Sequence, residues 1–295
     1  MKKEKKILEE IVTERTREVV TQKEQIAEKS KEITDSINYA KGIQDAILPS
    51  KEFIKQAFPE SFILFKPKDI VSGDFYWMEK VEGRTLFAAV DCTGHGVPGA
   101  FVSMVGANGL NRSVKEYGIT EPAKILDRLS ALVEETFSKR KDGMDIALCA
   151  IDAKQNTLEY AGANNPMYLI RANNILLVMD GLTIEPSVRQ DNHALYEIKA
   201  DKQPIGSFEG RRNFSNRILE LCANDIIYVF TDGYADQFGG PKGKKFKYSK
   251  LKELFITLYQ KPMEEQKEVL DKAIEDWKGT HEQIDDICIV SVRIG

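Results

Sequence analysis

Apolar runs of strand type in this chain repeatedly stop at an aspartate, often beside a glycine. Phe87-Ala88-Ala89-Val90 runs into Asp91-Cys92-Thr93-Gly94-His95-Gly96, and Ile226-Ile227-Tyr228-Val229-Phe230 runs through Thr231 into Asp232-Gly233. Asp74 follows Ser72-Gly73 and precedes an aromatic run, and Asp285-Asp286 opens the last apolar segment. Any one of these reads as an ordinary turn residue, because Asp-Gly is a common way to leave a strand. Their sum differs, since acids gathered at strand ends cannot all stay ionised without cations to neutralise them. Oxygen donors favour hard ions such as magnesium or manganese, and a chain with 3 histidines is poorly equipped for a catalytic zinc site. Two such ions about 3.5 to 4 Å apart lower the pKa of a bridging water and neutralise phosphate charge, the two-metal design for phosphoryl hydrolysis.

Other reactive groups carry less. Cys92, Cys149, Cys222 and Cys288 form no C-x-x-C pair, and none is followed by arginine at the spacing of a cysteine-phosphatase loop. Cys149 and Cys288 sit in apolar runs where a small buried thiol is expected, which fits a reducing cytoplasm. His95 reads either as a general acid or as a structural hydrogen-bonding group of its Gly-His-Gly loop. Lys242, Lys244, Lys245, Lys247 and Lys250 read by default as a solvated loop, with docking of an acidic substrate face as the alternative. Gly239-Gly240-Pro241-Lys242-Gly243-Lys244 fails the spacing of a nucleotide-binding loop.

The elements that must position these acids fall in two parts. Residues 1–48 contain one glycine, Gly42, and no proline, and Val12, Val19, Ile26, Ile33, Ala40 and Ile47 recur every seven residues. The companion positions Arg15, Gln22, Lys29 and Ser36 are polar, so the segment reads as a marginal parallel coiled coil, dimeric, with a single amphipathic helix lying on the next domain as the alternative. Pro49 ends this helix, and residues 49–295 form the second part. Strands are expected over 62–65, 75–78, 85–90, 146–151, 158–161, 167–171, 175–179, 195–198, 226–230 and 287–294, and helices over 97–117, 122–140, 248–259 and 263–277. Strands clustered in hairpins with helices in two pairs argue for an α+β fold, sheet packed on sheet with helices outside. A net charge of -4 gives no field for nucleic acid, and neither a membrane span nor a secretory signal is visible.

Together the stretches Ser72-Gly73-Asp74-Phe75, Asp91 to Ala100, Ala161-Gly162-Ala163-Asn164-Asn165-Pro166, Thr231-Asp232-Gly233 and Asp285-Asp286-Ile287 resemble the SpoIIE-type branch of the metal-dependent protein phosphatase 2C (PPM) superfamily, in order and spacing. The resemblance implies two packed antiparallel β-sheets flanked by helices, with two Mn2+ or Mg2+ ions at one edge. It implies that Asp91 bridges both metals, that the Cys92 carbonyl completes one, that Asp74 contacts the first through water or directly, and that Asp232 and Asp285 bind the second. Asp91 and Asp232 are then the catalytic pair, and Asp286 fixes the neighbouring strand unless the adjacent acids trade roles. Gly94, Gly96 and Gly99 let the backbone approach the metals, Gly233 follows Asp232 in its turn, and the helix starts at Val97-Pro98.

Two departures from the family pattern stand out. Asp145 occupies a position that is usually Thr or Ser, where it either contacts a third, weak metal or caps a strand; and the superfamily's phosphate-binding arginine has no clear counterpart. The implied activity is hydrolysis of phosphoserine or phosphothreonine on a protein such as an anti-sigma-factor antagonist, in bacterial signalling. In relatives an N-terminal helix relays a sensor's state, so an upstream sensor domain or protein and homodimerisation through residues 1–48 are expected. The competing reading is a catalytically inactive phosphatase-fold scaffold whose coiled coil is the working part.

Overall fold

Side-chain alternation explains the architecture of the computed structural model, which describes residues 2–138 and 141–295. Among the described residues the strands form two main antiparallel sheets and a short ribbon. One sheet runs β1 (Ser61–Lys66), β15 (Ile287–Arg293), β12 (Ile226–Phe230), β6 (Met167–Ala172), β10 (His193–Ile198) and β9 (Val188–Gln190). The other runs β2 (Phe75–Val81), β3 (Arg84–Cys92), β4 (Met144–Asp152), β5 (Thr157–Ala163), β11 (Arg217–Glu220), β7 (Leu177–Met179) and β8 (Leu182–Ile184). The ribbon pairs β13 (Phe238–Gly239) with β14 (Lys244–Lys245).

Successive strand residues point to opposite faces, so each central strand needs two apolar faces here. On β3, Phe87 and Ala89 join Ala147, Cys149, Val229 and Val290 between the sheets, whereas Leu86, Ala88 and Val90 face α3 (Gly96–Asn111) and α4 (Pro122–Thr136). On the other sheet, Tyr228, Phe230 and Ile289 face α6 (Tyr248–Thr257) and α7 (Met263–Lys278), where Phe255 stacks on Tyr228 at 4.0 Å. The result is a helix–sheet–sheet–helix sandwich. It matches the α+β architecture implied by the resemblance.

The chain divides into two compact units, residues 1–43 and 44–295. The first is most of α1 (Lys2–Ile47), whose Val12, Val19, Ile26 and Ile33 are each more than half exposed. The second contains the last turn of α1, where buried Gln44 donates to the Ser72 carbonyl and the Ser103 hydroxyl and accepts from the Ser72 amide. That exchange puts the division ahead of Pro49. After Pro49 a further helix unread in the sequence, α2 (Lys51–Ala57), is capped by the Ser50 hydroxyl accepting from the Phe53 amide.

Elsewhere the differences are local. The expected helix over 97–117 breaks into α3 and a π-helical turn, Arg112–Glu116; the one over 122–140 ends at Thr136, and residues 139–140 lie outside those described. The strand expected over 175–179 shortens to Leu177–Met179.

Candidate active site

The same alternation delivers the acids. On β3 the inter-sheet residues 87 and 89 are followed by Asp91, and on β4 the inter-sheet residues 149 and 147 are preceded by Asp145. Asp91 and Asp145 are direct partners in the β3–β4 register. Phe75 pairs with Val90, so Asp74 lies one step past the β2–β3 ladder, toward Asp91. Asp286 precedes Ile287 and Cys288 of β15 in the same way, and β12 ends at Phe230 just before Thr231-Asp232. Strands β12 and β15 pack across the sandwich on β2, β3 and β4, so all these ends share one edge.

Glycines make the turns there possible. Gly94 and Gly96 adopt φ of +85° and +61°, and a Cβ on either Gly73 or Gly99 would overlap the Gly94 carbonyl oxygen. The Asp74 loop, the Asp91 loop and the start of α3 therefore close on one carbonyl. Helix α3 begins at Gly96, with Pro98 at its third position. A Cβ on Gly233 would overlap the Asp286 carbonyl oxygen, which fixes the Asp232 turn against the start of β15.

Burial and mutual repulsion push the carboxyls upward. Asp74 is 3% exposed, its Oδ2 has no hydrogen-bond partner, and its pKa is raised well above the ordinary range by burial and then by Asp91. Asp91 is raised well above that range by burial, then by Asp232, Asp285 and Asp145. Asp232 is pushed up to about 6 by burial, then by Asp285; Asp285 and Asp145 are also raised, chiefly by burial. Asp91, Asp145 and Asp232 line one open cavity of about 250 Å³ with Thr93 and Lys141.

Asp286 differs from its neighbours. Its two oxygens accept from the Lys68 amide at 2.7 Å and the Gly73 amide at 2.8 Å, so it clamps the loop leading to Asp74. Asp145 accepts from the Asn164 side chain at 2.8 Å and lines the cavity. His95 is held between partners that the sequence did not single out: its Nδ1 is 2.7 Å from Asp69 Oδ2 and its Nε2 is 3.1 Å from Lys68 Nζ. Those contacts are satisfied when Nδ1–H donates to Asp69 and Nε2 accepts from the ammonium. The Asp69–His95 pair joins residues 26 apart, and nothing in their local sequence pattern announces it.

Among the described residues no three histidine, cysteine, aspartate or glutamate side chains form a closed ligand set. The donor chemistry nonetheless fits hard cations: oxygen donors only, a buried carboxylate oxygen without a partner, and four further carboxyls all raised, chiefly by burial. Cys92, Cys149 and Cys288 are buried with thiols pushed well up by desolvation, which leaves them inert as nucleophiles.

A family model described as Stage II sporulation protein E (SpoIIE) matches residues 81–295. The chain belongs to the SpoIIE family. Among solved structures, the SiaA-PP2C domain of Pseudomonas aeruginosa is 30% identical with a TM-score of 0.78, the match covering 90% of this chain and 98% of that one. The PP2C phosphatase domain with a regulatory fragment of SpoIIE from Bacillus subtilis is 18% identical, TM-score 0.61, covering 80% of this chain and 63% of that one. The RsbU and RsbW domains of Rv1364c from Mycobacterium tuberculosis are 16% identical, TM-score 0.60, covering 80% and 61%. The last two show likeness of fold alone. A search of curated proteins finds no match. This SpoIIE-family chain is accordingly a protein serine/threonine phosphatase of bacterial signalling. No helix among its described residues is long and apolar enough to cross a membrane.

Proposed function

We propose that the acid-lined edge of the sandwich holds two Mn2+ or Mg2+ ions and hydrolyses phosphoserine or phosphothreonine on a small regulatory protein of the anti-sigma-factor-antagonist type. The observation that carries this reading is the buried, unpartnered Oδ2 of Asp74 facing the field of Asp91. A carboxylate oxygen so placed is costly unless a cation meets it. When bound, the ions would supply a water nucleophilic at neutral pH and neutralise the phosphoryl oxygens.

The chain's own residues divide the remaining work. Asp91, at the end of β3 and raised by acids on both sides, has the position of a bridging ligand. Asp74 and the Cys92 carbonyl would serve one ion, Asp232 and Asp285 the other. Asp286 spends both oxygens on backbone amides and acts by fixing the Asp74 loop. Asp145, with one oxygen engaged by Asn164, is suited to a third, weaker contact. His95, tied to Asp69 and Lys68, serves the loop as a hydrogen-bonding post.

The uncovered heptad stripe of α1 supports a homodimer through residues 1–48, with activity controlled from an upstream sensor domain or protein. Four free cysteines, three of them buried, support a cytoplasmic setting. Phosphate release from p-nitrophenyl phosphate with manganese tests the central claim. Asp91→Asn and Asp232→Asn should each lower turnover by about a hundredfold or more, beyond the 10- to 100-fold typical of outer metal-site partners. Equal turnover in those variants would remove the two-metal reading.

A further inference from the structure

We propose that the ribbon β13–β14 and the aromatic cleft beside it dock an acidic segment of the phosphoprotein substrate, next to its phosphorylated residue. This rests on the phosphatase reading above and adds the chemistry of substrate recognition. The ribbon follows directly from the Asp232 turn through α5 (Gly233–Asp236), so it borders the reacting edge of the sandwich. Lys245 pairs with Asp236 at 2.7 Å, and Tyr248, which opens α6 right after the ribbon, feels Asp232, Asp91 and Asp145.

The cleft is built, with a volume of about 290 Å³ and a floor of Pro241, Phe246 and Trp277. Gly239 and Gly240 lie so close on Trp277 that a Cβ on either would strike its backbone or ring, and the Gly240 amide donates to the Trp277 carbonyl at 2.7 Å. Phe246 meets the Trp277 ring edge-on at 5.3 Å, and the Trp277 indole donates to the Gln237 carbonyl. Ribbon, indole and the Phe246 ring thus hold their places before any partner arrives. Lys250 lies 3.7 Å over the Trp277 ring, leaving its charge on the cleft wall.

Lys242, Lys244 and Lys247 complete the rim. Among the described residues their side chains make no ion pair or hydrogen bond, in a chain whose net charge is negative and whose other lysines are often paired. Unpaired like charges around an apolar floor fit an anionic partner with an apolar anchor: acidic residues on the rim and one apolar side chain in the cleft. The lysines also offset the repulsion that an acidic substrate meets at an edge lined by Asp91, Asp145 and Asp232. Docking beside the site makes delivery of the phosphorylated residue effectively intramolecular.

The test uses two synthetic phosphoserine peptides with one core sequence, flanked either by acidic residues and a leucine or by neutral polar residues. The wild type should show kcat/KM about tenfold higher on the acidic peptide, a preference that fades with added salt. Lys242→Glu with Lys244→Glu should abolish the preference and leave p-nitrophenyl phosphate turnover and Tm unchanged, and the corresponding Gln pair should fall between. Fluorescence anisotropy of the labelled, unphosphorylated acidic peptide reads docking without turnover, and the Glu pair should lose that binding. Equal kcat/KM on both peptides, with active hydrolysis of p-nitrophenyl phosphate, overturns docking and spares the phosphatase reading. No phosphate release from any ester sinks that reading instead, and anisotropy still decides docking. Binding to phosphatidylserine vesicles that the Glu pair abolishes, without any peptide discrimination, overturns the proposal in favour of a lipid surface.

Discussion

At the residue scale the acids of the sandwich edge are a liability while ionised, and this has a measurable pH signature. Asp232 is pushed up to about 6 in the folded chain, from 3.8 ordinarily, because burial and then Asp285 disfavour its charge. A carboxyl raised on folding contributes stability that is fully present below its unfolded value and is lost as pH rises through its folded value. Asp74 and Asp91 are raised in the same direction. The metal-free protein should therefore melt at a higher temperature at about pH 5 than at about pH 7.5, opposite to the usual trend for salt-bridged carboxylates. Manganese should reverse the order, because ions and protons compete for the same oxygens, and its affinity should fall below about pH 6. Scanning calorimetry with and without manganese decides it; a metal-free Tm that rises steadily from pH 5 to 7.5 contradicts the acid cluster. Asp74, Asp91, Asp232 and Asp285 stood out in the sequence as candidates because each lies where an apolar run begins or ends. Asp69 and Lys68 were not, because they act on His95 across a fold that no local pattern encodes.

At the element scale, legibility followed how much apolar surface each strand buries. The long central strands β3, β4 and β15 read clearly because both their faces need apolar residues. Strands β8, β9 and β11 did not: Leu-Thr-Ile, Val-Arg-Gln and Arg-Ile-Leu-Glu are short, half exposed and held mainly by their neighbours' hydrogen bonds. The end of α1 is the most consequential element that the sequence left undivided. Gln44 holds the Ser72 amide and carbonyl two residues before Asp74, so the last helical turn and the Asp74 loop share one buried polar exchange. Gln44→Ala strands the Ser72 groups and leaves Ser103 short of one donor, at a cost of about 2 kcal/mol for the buried pair. The larger effect should fall on the site: manganese affinity about tenfold weaker, in the range for residues that orient a metal ligand. Titration calorimetry on the variant checks it. Unchanged affinity beside a lowered Tm would make Gln44 a purely structural hook.

At the scale of the whole molecule, α1 has two separable jobs that truncation can pull apart. Residues 1–43 carry the exposed stripe Val12, Val19, Ile26 and Ile33, a seven-residue repeat able to seat a second helix. Residues 44–47 carry Gln44 and belong to the catalytic unit. A chain starting at Lys31 keeps the turns around Gln44 and loses three of those four apolar positions, and the fewer than two heptads left ahead of Gln44 cannot sustain a coiled coil. It should sediment as a monomer and the full chain as a dimer, and the two chains should have equal manganese affinity. A chain starting at Lys51 should also be monomeric, but with the weakened manganese affinity expected of Gln44→Ala. If dimerisation itself sets activity, turnover per active site at saturating manganese changes already in the Lys31 chain. If only the hook matters, turnover changes first in the Lys51 chain. Equal association states for the full and Lys51 chains would eliminate α1 as the dimer contact.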